Sequence, residues 1–269
     1  MLMSAVVSQI QGEPALVEVR RQGGVATLAM NRGAQFNALS SAMIAALQTQ
    51  LDTLAADRDV RVVVLAGEGR AFCAGHDLRE MRASPSEAFY QRLFAQCTKM
   101  MRTLQAMPQP VIARVHGLAT AAGCQLVATC DLAVAADTAQ FAVSGVNLGL
   151  FCSTPSVALG RNVNRKQAFE MLVTGEFISA SEARDRGLVN RVVAPDRLDD
   201  EIANLAAQIM TKPAVALAMG KSLFYRQLEM GTDAAYQLAG QTMACNMMDE
   251  AALEGVQAFI EKRKPSWGA

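Results

Sequence analysis

The sequence predicts an α/β fold whose strand-and-helix alternation gives way to helices alone, and two observations carry that prediction. From Ala15 to Ala135, short β-prone apolar runs alternate with segments whose apolar residues recur at helical spacing. Past Phe151 the helical spacing takes over, and only Leu188 to Val193 reads as a further strand. A chain of 269 residues, 51% of them hydrophobic, is long enough to bury a substantial core.

Taken in order, Ala15–Arg20 and Val25–Met30 flank Arg21-Gln22-Gly23-Gly24 and predict a hairpin. After a polar loop, Asn31 to Asn37, the residues Leu39, Met43, Leu47, Leu51 and Leu54 predict a helix with Ser40 as N-cap. Val60–Ala66 is β-branched enough for a buried strand, and it runs into the glycine-punctuated loop Gly67 to Asp77. A polar segment from Arg79 to Ser86 precedes a helix carrying Phe89, Leu93, Met100, Met101 and Leu104, which Pro108 and Pro110 terminate. Between Ala113 and Asp131 the order is strand, tight turn at His116-Gly117, small residues, then the apolar-periodic Cys124, Leu126, Val127 and Ala128. Such a helix start exposes unobstructed N–H groups to a negatively charged oxygen, and small residues equally suit close helix packing. Leu132–Ala135 predicts one more strand. Helical patterns then cover 165–173, 179–186, 198–210, 215–230, 234–248 and 250–262, and Met243, Met247 and Met248 would form a packing or subunit surface.

Composition narrows the function. Lys plus Arg and Asp plus Glu number 25 each, so no basic surface predicts nucleic-acid binding. Six cysteines show no Cys-x-x-Cys spacing, which predicts reduced, buried thiols and a reducing compartment. Met1 to Pro14 has neither a secretory nor an arginine-rich organelle pattern, and no apolar run approaches the roughly 20 residues of a membrane span. A soluble, cytoplasmic protein without membrane partners is expected on that basis. Gly67-x-Gly69 lacks the third glycine of a dinucleotide fingerprint, because Phe72 stands there. Gly220-Lys221-Ser222 lacks the first glycine of a phosphate loop, because Val215 stands there. No Gly-x-Ser-x-Gly elbow is present, His116 reads as a core histidine, and no cluster has metal-ligand spacing.

Two loops change the weighing. Arg70-Ala71-Phe72-Cys73-Ala74-Gly75-His76-Asp77-Leu78 and His116-Gly117-Leu118-Ala119-Thr120-Ala121-Ala122-Gly123-Cys124-Gln125-Leu126 resemble the enoyl-CoA hydratase/isomerase (crotonase) family. Further matches run the length of the chain, from Asn31-Arg32 and Asn37-Ala38-Leu39 through Cys130 to Ala135 and Leu172 to Gly175, to Phe259-Ile260-Glu261-Lys262-Arg263. The resemblance implies a crotonase (ClpP-like) spiral of ββα repeats over residues 1–197, with a helical trimerisation region over 198–269. It implies an acyl-CoA thioester as ligand, coenzyme A being part of the substrate and no separate cofactor being needed. A homotrimer or hexamer is also implied. The backbone N–H groups of His76 and Ala122 would form the oxyanion hole, with the His76 imidazole the most exposed titrating group beside it. Ala34, Phe36, Ala74, Asp77, Leu78 and Arg79 would cradle coenzyme A, and Phe259 and Lys262 would close over it from a carboxy-terminal helix. RNA binding, known for one branch, relies on a lysine-rich helix, and Ser40 to Asp57 has no lysine.

The sequence departs from the family where hydration needs two carboxylates. Gln125 and Gly145 stand at the positions of the two glutamates, and neither can take a proton from water near neutral pH. The loop Ser144 to Pro155 is similar to that of a subgroup, the enoyl-CoA hydratase domain-containing protein 3 group, which also lacks the pair. The expectation is therefore a member of acyl-CoA metabolism, enzyme more than not, with an atypical lyase- or isomerase-type site and doubtful conventional hydration. Cys152, Ser153, Asn147 and His76 are the remaining polar candidates, with Cys152 placed among the catalytic positions. The rival readings are a non-catalytic acyl-CoA sensor or assembly subunit, and a thioester hydrolase or decarboxylase using other side chains.

Overall fold

A computed structural model describes residues 14–83 and 85–267. The hairpin forms as predicted, β1 (Val17–Gln22) and β2 (Val25–Met30) pairing antiparallel across Gly23-Gly24, both at positive φ. Helix α1 (Ser41–Ala56) follows, its cap the Ser40 hydroxyl accepting from the Met43 N–H at 3.2 Å.

Three successive ββα units then share one plan. They are β3 (Val62–Gly67), β4 (Ala71–Cys73) and α3 (Glu87–Ala106); β5 (Val111–Val115), β6 (Leu118–Thr120) and α4 (Ala122–Thr129); and β7 (Leu132–Ala136), β8 (Gln140–Ala142) and α5 (Ser153–Asn162). A short helix α2 (Leu78–Ala83) is inserted in the first unit. The first strand of each unit joins a six-stranded sheet of order β1-β2-β3-β5-β7-β10, closed by β10 (Arg191–Val193), and the second joins a four-stranded sheet of order β4-β6-β8-β9, closed by β9 (Ile178–Ser179). The unit strands run parallel within each sheet. Helix α6 (Arg165–Thr174), strand β9 (Ile178–Ser179), helix α7 (Ala180–Asp185) and strand β10 (Arg191–Val193) complete this part. The predicted strand over Leu188 to Val193 shrinks to β10 because Leu188 and Val189 turn inward as core side chains.

Burial on both faces explains the composition of β3. Val63 and Leu65 point into the main core, whereas Val62 and Val64 meet Leu198, Ile202, Leu205 and Ala206 of α8 (Leu198–Met210) on the outer face. The helical region expected from residue 198 thus begins by packing on this sheet. Helices α9 (Ala214–Gln227), α10 (Thr232–Met247) and α11 (Glu250–Ile260) contain one buried residue, Ala258. They leave Phe224, Tyr236, Met243, Met248 and Phe259 exposed. No single helix among the described residues is long and apolar enough to cross a membrane.

A buried ion pair anchors α9. Lys221 Nζ donates to Asp131 Oδ2 at 2.6 Å, to Leu104 O at 2.8 Å and to Gln109 O at 2.9 Å. Asp131 also accepts from the Val111 N–H and the Tyr225 hydroxyl. Burial works against both charges, pushing Lys221 down and Asp131 up from their ordinary ranges, and their contact offsets only part of it. The lysine of the incomplete phosphate-loop pattern is therefore a structural pin.

Candidate active site

The first half of the site is a lacing of two loops. Asn37 sits in the left-handed region at φ 53°, which a short amide side chain tolerates, and it is fully buried. Its Nδ2 donates to Glu68 O at 2.8 Å, Ala71 O at 2.8 Å and Phe72 O at 3.2 Å, while its Oδ1 accepts from the Arg32 N–H. Backbone bonds continue the seam: Ala74 N–H to Phe36 O at 3.0 Å, Leu39 N–H to Gly75 O at 2.8 Å and Asp77 N–H to Leu39 O at 3.3 Å. Ala34, Phe36, Ala74, Asp77, Leu78 and Arg79 are thereby brought to one rim, with Ala34, Phe36, Leu78 and Arg79 exposed. The Arg70 guanidinium lies 5.0 Å over the Phe36 ring.

That seam also orients His76. It pairs with Leu39 in a single parallel bridge, in which Leu39 bonds to the residues on either side of His76 and not to His76 itself. The His76 N–H therefore points away from Leu39 and meets no backbone acceptor among the described residues.

The second half is the turn between β6 and α4. Ala121 holds φ 51° and ψ −120°, a conformation that costs an alanine about 1–3 kcal/mol, and its N–H donates to Ala142 O at 2.9 Å. The reversal makes Ala122 the first residue of α4, with its N–H at the positive end of the helix and without a backbone partner among the described residues. Glycine lets the halves touch. At Gly75, itself at φ +89°, a Cβ would stand 2.9 Å from Ala121 Cβ and 3.2 Å from Ala122 N; at Gly123 it would overlap the Cys73 carbonyl oxygen. His76 and Ala122 thus flank one contact between loops that are far apart in the sequence.

Around this contact the reactive inventory is neutral. Gln125, one helical turn after Ala122, is 6% exposed, and its Oε1 has no hydrogen-bond partner among the described residues. Gly145 lies in a short 3-10 turn, Ser144–Leu148, tied to β6 by the Thr120 and Ser144 hydroxyls at 3.0 Å. A Cβ at Gly145 would come within 2.5 Å of Leu150 O and 2.7 Å of Cys152 Sγ, and the Gly145 N–H donates to that sulfur at 3.3 Å. Cys152 is 7% exposed, and burial raises its thiol above the ordinary range. Asn147 and Ser153 are used locally, bonding to Gly175 O and Phe151 O.

The expectation of an exposed His76 imidazole does not hold. The ring is half-buried edge-on against Phe94 with centroids 5.3 Å apart, its Nδ1 lies 3.3 Å from Leu39 O, and its Nε2 is sealed without a partner. Burial lowers its pKa, which keeps it neutral. His116 is half-buried as well, with Nε2 2.9 Å from Gly69 O.

Phe259 and Lys262 are not brought to the rim by packing within the protomer. Phe259 lines a cavity of about 360 Å³ with Val215, Gly255 and Trp267, and Lys262 follows the end of α11 at φ 55°. Another cavity, of about 560 Å³, lies between α9 and the segment Asp57–Arg61. Two features of the site left no sequence signal: the strained backbone at Ala121 and the sulfur contact closing Gly145. Asn37 stood within a matching motif, but the several carbonyls it gathers come from a distant loop.

Comparison with known proteins places these features. The family model described as enoyl-CoA hydratase/isomerase matches residues 20–269. Enoyl-CoA hydratase domain-containing protein 3, mitochondrial, from Rattus norvegicus is 44% identical over 96% of this chain and 86% of its own length. Among solved structures, an enoyl-CoA hydratase from Mycobacterium smegmatis superposes with a TM-score of 0.93 at 64% identity, covering 95% of this chain and 99% of that one. Human enoyl-coenzyme A hydratase domain-containing protein 3 gives a TM-score of 0.90 at 43% identity, covering 94% and 100%. The relatives from rat, mouse, Xenopus laevis and human are all named mitochondrial, which overturns the expectation of a cytoplasmic protein. Reduced, buried thiols report reducing surroundings and do not single out the cytoplasm. The segment Met1 to Pro14, from which the missing address was read, lies outside the described residues except for Pro14. The chain belongs to the enoyl-CoA hydratase/isomerase (crotonase) family, whose members act on acyl-CoA thioesters, and within it to the group of enoyl-CoA hydratase domain-containing protein 3.

Proposed function

We propose that this chain binds acyl-CoA thioesters and polarises the thioester oxygen between the His76 and Ala122 N–H groups, without the carboxylate pair of a hydratase. The reading is supported by two N–H groups, of His76 and Ala122, that meet no backbone acceptor among the described residues and flank one contact between loops; loss of one oxyanion-hole donor typically costs about 10²–10³ in rate. Ala34, Phe36, Ala74, Asp77, Leu78 and Arg79 form the rim for the coenzyme A moiety, and Phe259 and Lys262 reach that rim from a neighbouring copy in a homotrimer or hexamer. The exposed apolar faces of α9–α11 support such an assembly.

The observation that carries the reading against hydration is the closure of Gly145. The position lacks a side chain and also lacks the space for one, since the Leu150 carbonyl and the Cys152 sulfur occupy it. Each missing proton-transfer group is typically worth about 10²–10⁴-fold. The test is binding and turnover measured together on acetyl-, butyryl- and crotonyl-CoA. Micromolar-range binding with crotonyl-CoA hydration several orders below that of a glutamate-bearing hydratase run alongside is the expected result. Hydration at ordinary hydratase rates, or no binding of any thioester, would contradict it.

A further inference from the structure

An oxyanion hole stabilises an enolate, yet the surroundings described above hold no free base to create one. Asp77 is spent on the Arg79 and Glu80 N–H groups, Glu80 accepts from the Ser41 N–H, and the neutral His76 Nε2 is sealed. What remains beside the hole is neutral: the amide of Gln125, its Oε1 without a partner among the described residues, and the thiol of Cys152. The sulfur stands where a side chain at position 145 would begin, it accepts from the Gly145 N–H at 3.3 Å, and α5, which Cys152 immediately precedes, packs against the α4 helix that carries Gln125. A site built this way suits a substrate that yields the enolate without losing a proton.

We infer that the substrate class is a 2-carboxyacyl (malonyl-type) CoA thioester, which this site decarboxylates, with the Cys152 thiol delivering the proton that replaces the carboxylate. This inference rests on the thioester-binding reading above. The bond between the α-carbon and the carboxylate breaks heterolytically, carbon dioxide leaves, and the bonding pair moves toward the thioester oxygen held by the His76 and Ala122 N–H groups. The α-carbon then takes the proton from Cys152 Sγ–H, and the thiolate recovers a proton from water. The hydroxide left by that proton transfer combines with the carbon dioxide as bicarbonate, so beyond one water no oxidant, reductant or further reactant is consumed. The closely buried Gln125 amide and Cys152 thiol give the departing carboxylate an uncharged wall, against which loss of its charge is favoured. A protonated thiol is what the step needs, and burial of Cys152 keeps it so.

The experiment incubates the whole protein with malonyl-CoA and methylmalonyl-CoA, follows thioester product by chromatography, and measures butyryl-CoA binding by calorimetry on the same sample. Conversion to acetyl-CoA and propionyl-CoA is expected, and in deuterium oxide the propionyl-CoA should carry one deuterium in a single configuration. Cys152→Ala should slow conversion about 100-fold and scramble that configuration, since water then protonates the enolate, while butyryl-CoA is still bound. Cys152→Ser should retain the single configuration. Butyryl-CoA bound with malonyl-CoA left intact would overturn the inference and leave thioester binding standing. No thioester bound would overturn both. An unchanged rate and configuration in Cys152→Ala would remove the thiol as the donor.

Discussion

Two glycines of the site matter through what a side chain would strike. Gly123→Ala would drive a methyl group into the Cys73 carbonyl, so we expect a loss of about 1–3 kcal/mol of stability and weakened acyl-CoA binding that saturating thioester still overcomes, measured by urea unfolding and calorimetry. At Gly145 the same logic bears on activity. Restoring the glutamates as the double variant Gln125→Glu, Gly145→Glu should yield a destabilised protein that still fails to hydrate crotonyl-CoA, because Leu150 O and Cys152 Sγ hold the space. A folded double variant that hydrates crotonyl-CoA efficiently would show the closure to be unimportant. In the proposed reading His76 acts through its backbone, so its side chain should appear in stability more than in turnover. Burial holds its folded-state pKa below the ordinary histidine value of 6.5, so the unfolded state takes up the proton first and unfolding becomes easier as pH falls below 6.5. Denaturant melts of His76→Asn should be less pH-dependent than wild type across that window; an equal or steeper dependence would contradict the burial argument. Much at this scale was legible in the sequence, since the two loop motifs pointed to His76, Ala122 and Gln125, and the later stretch from Ser144 to Pro155 pointed to Gly145. What was not legible is conformational. Alanine gives no hint of the positive φ at residue 121, and nothing in the chain indicates that Cys152 turns its sulfur back onto Gly145.

Elements long enough to show a period were readable, and very short ones were not. Helices α1, α3 and α8 follow their apolar spacing, and the β-branched β3 follows its burial. Strands β4, β6 and β8 span three residues each, too few to display alternation, and it is their pairing in the second sheet that presents the site loops together. Helix α5 hides in a stretch rich in serine, glycine and proline that reads as loop. The docking of α9 was invisible because Lys221 and Asp131 are distant in sequence and lysine is ordinarily exposed. Lys221→Met leaves the Asp131 carboxylate buried with only the Val111 N–H and the Tyr225 hydroxyl, and should cost about 3–5 kcal/mol in urea unfolding. The double variant Lys221→Met, Asp131→Asn should recover a large part of that loss. A negligible effect of the single variant would show that the pair does not hold α9.

For the whole molecule, the division of labour is between a spiral core that fixes the two loops and a helical end whose apolar faces are left uncovered. Met243 is 69% exposed, Met248 78% and Phe259 84%, more apolar surface than a lone protomer would keep on three adjoining helices. Sedimentation should therefore report a trimer or hexamer, and Phe224→Asp combined with Met243→Asp should shift it toward smaller species; a wild-type monomer at micromolar concentration would contradict the proposed assembly. The overall fold was legible from many short matches in a fixed order, whereas the compartment was not, because it was judged from the terminal segment and from thiol chemistry that several compartments share.

The most direct test of the thioester oxygen held by two backbone donors is the infrared C=O stretch of carbonyl-labelled butyryl-CoA bound to the protein. A shift to lower frequency than in water, retained in His76→Asn and lost in Gly123→Ala, is the predicted result. A bound thioester whose carbonyl absorbs as it does in water would contradict an oxyanion hole at His76 and Ala122.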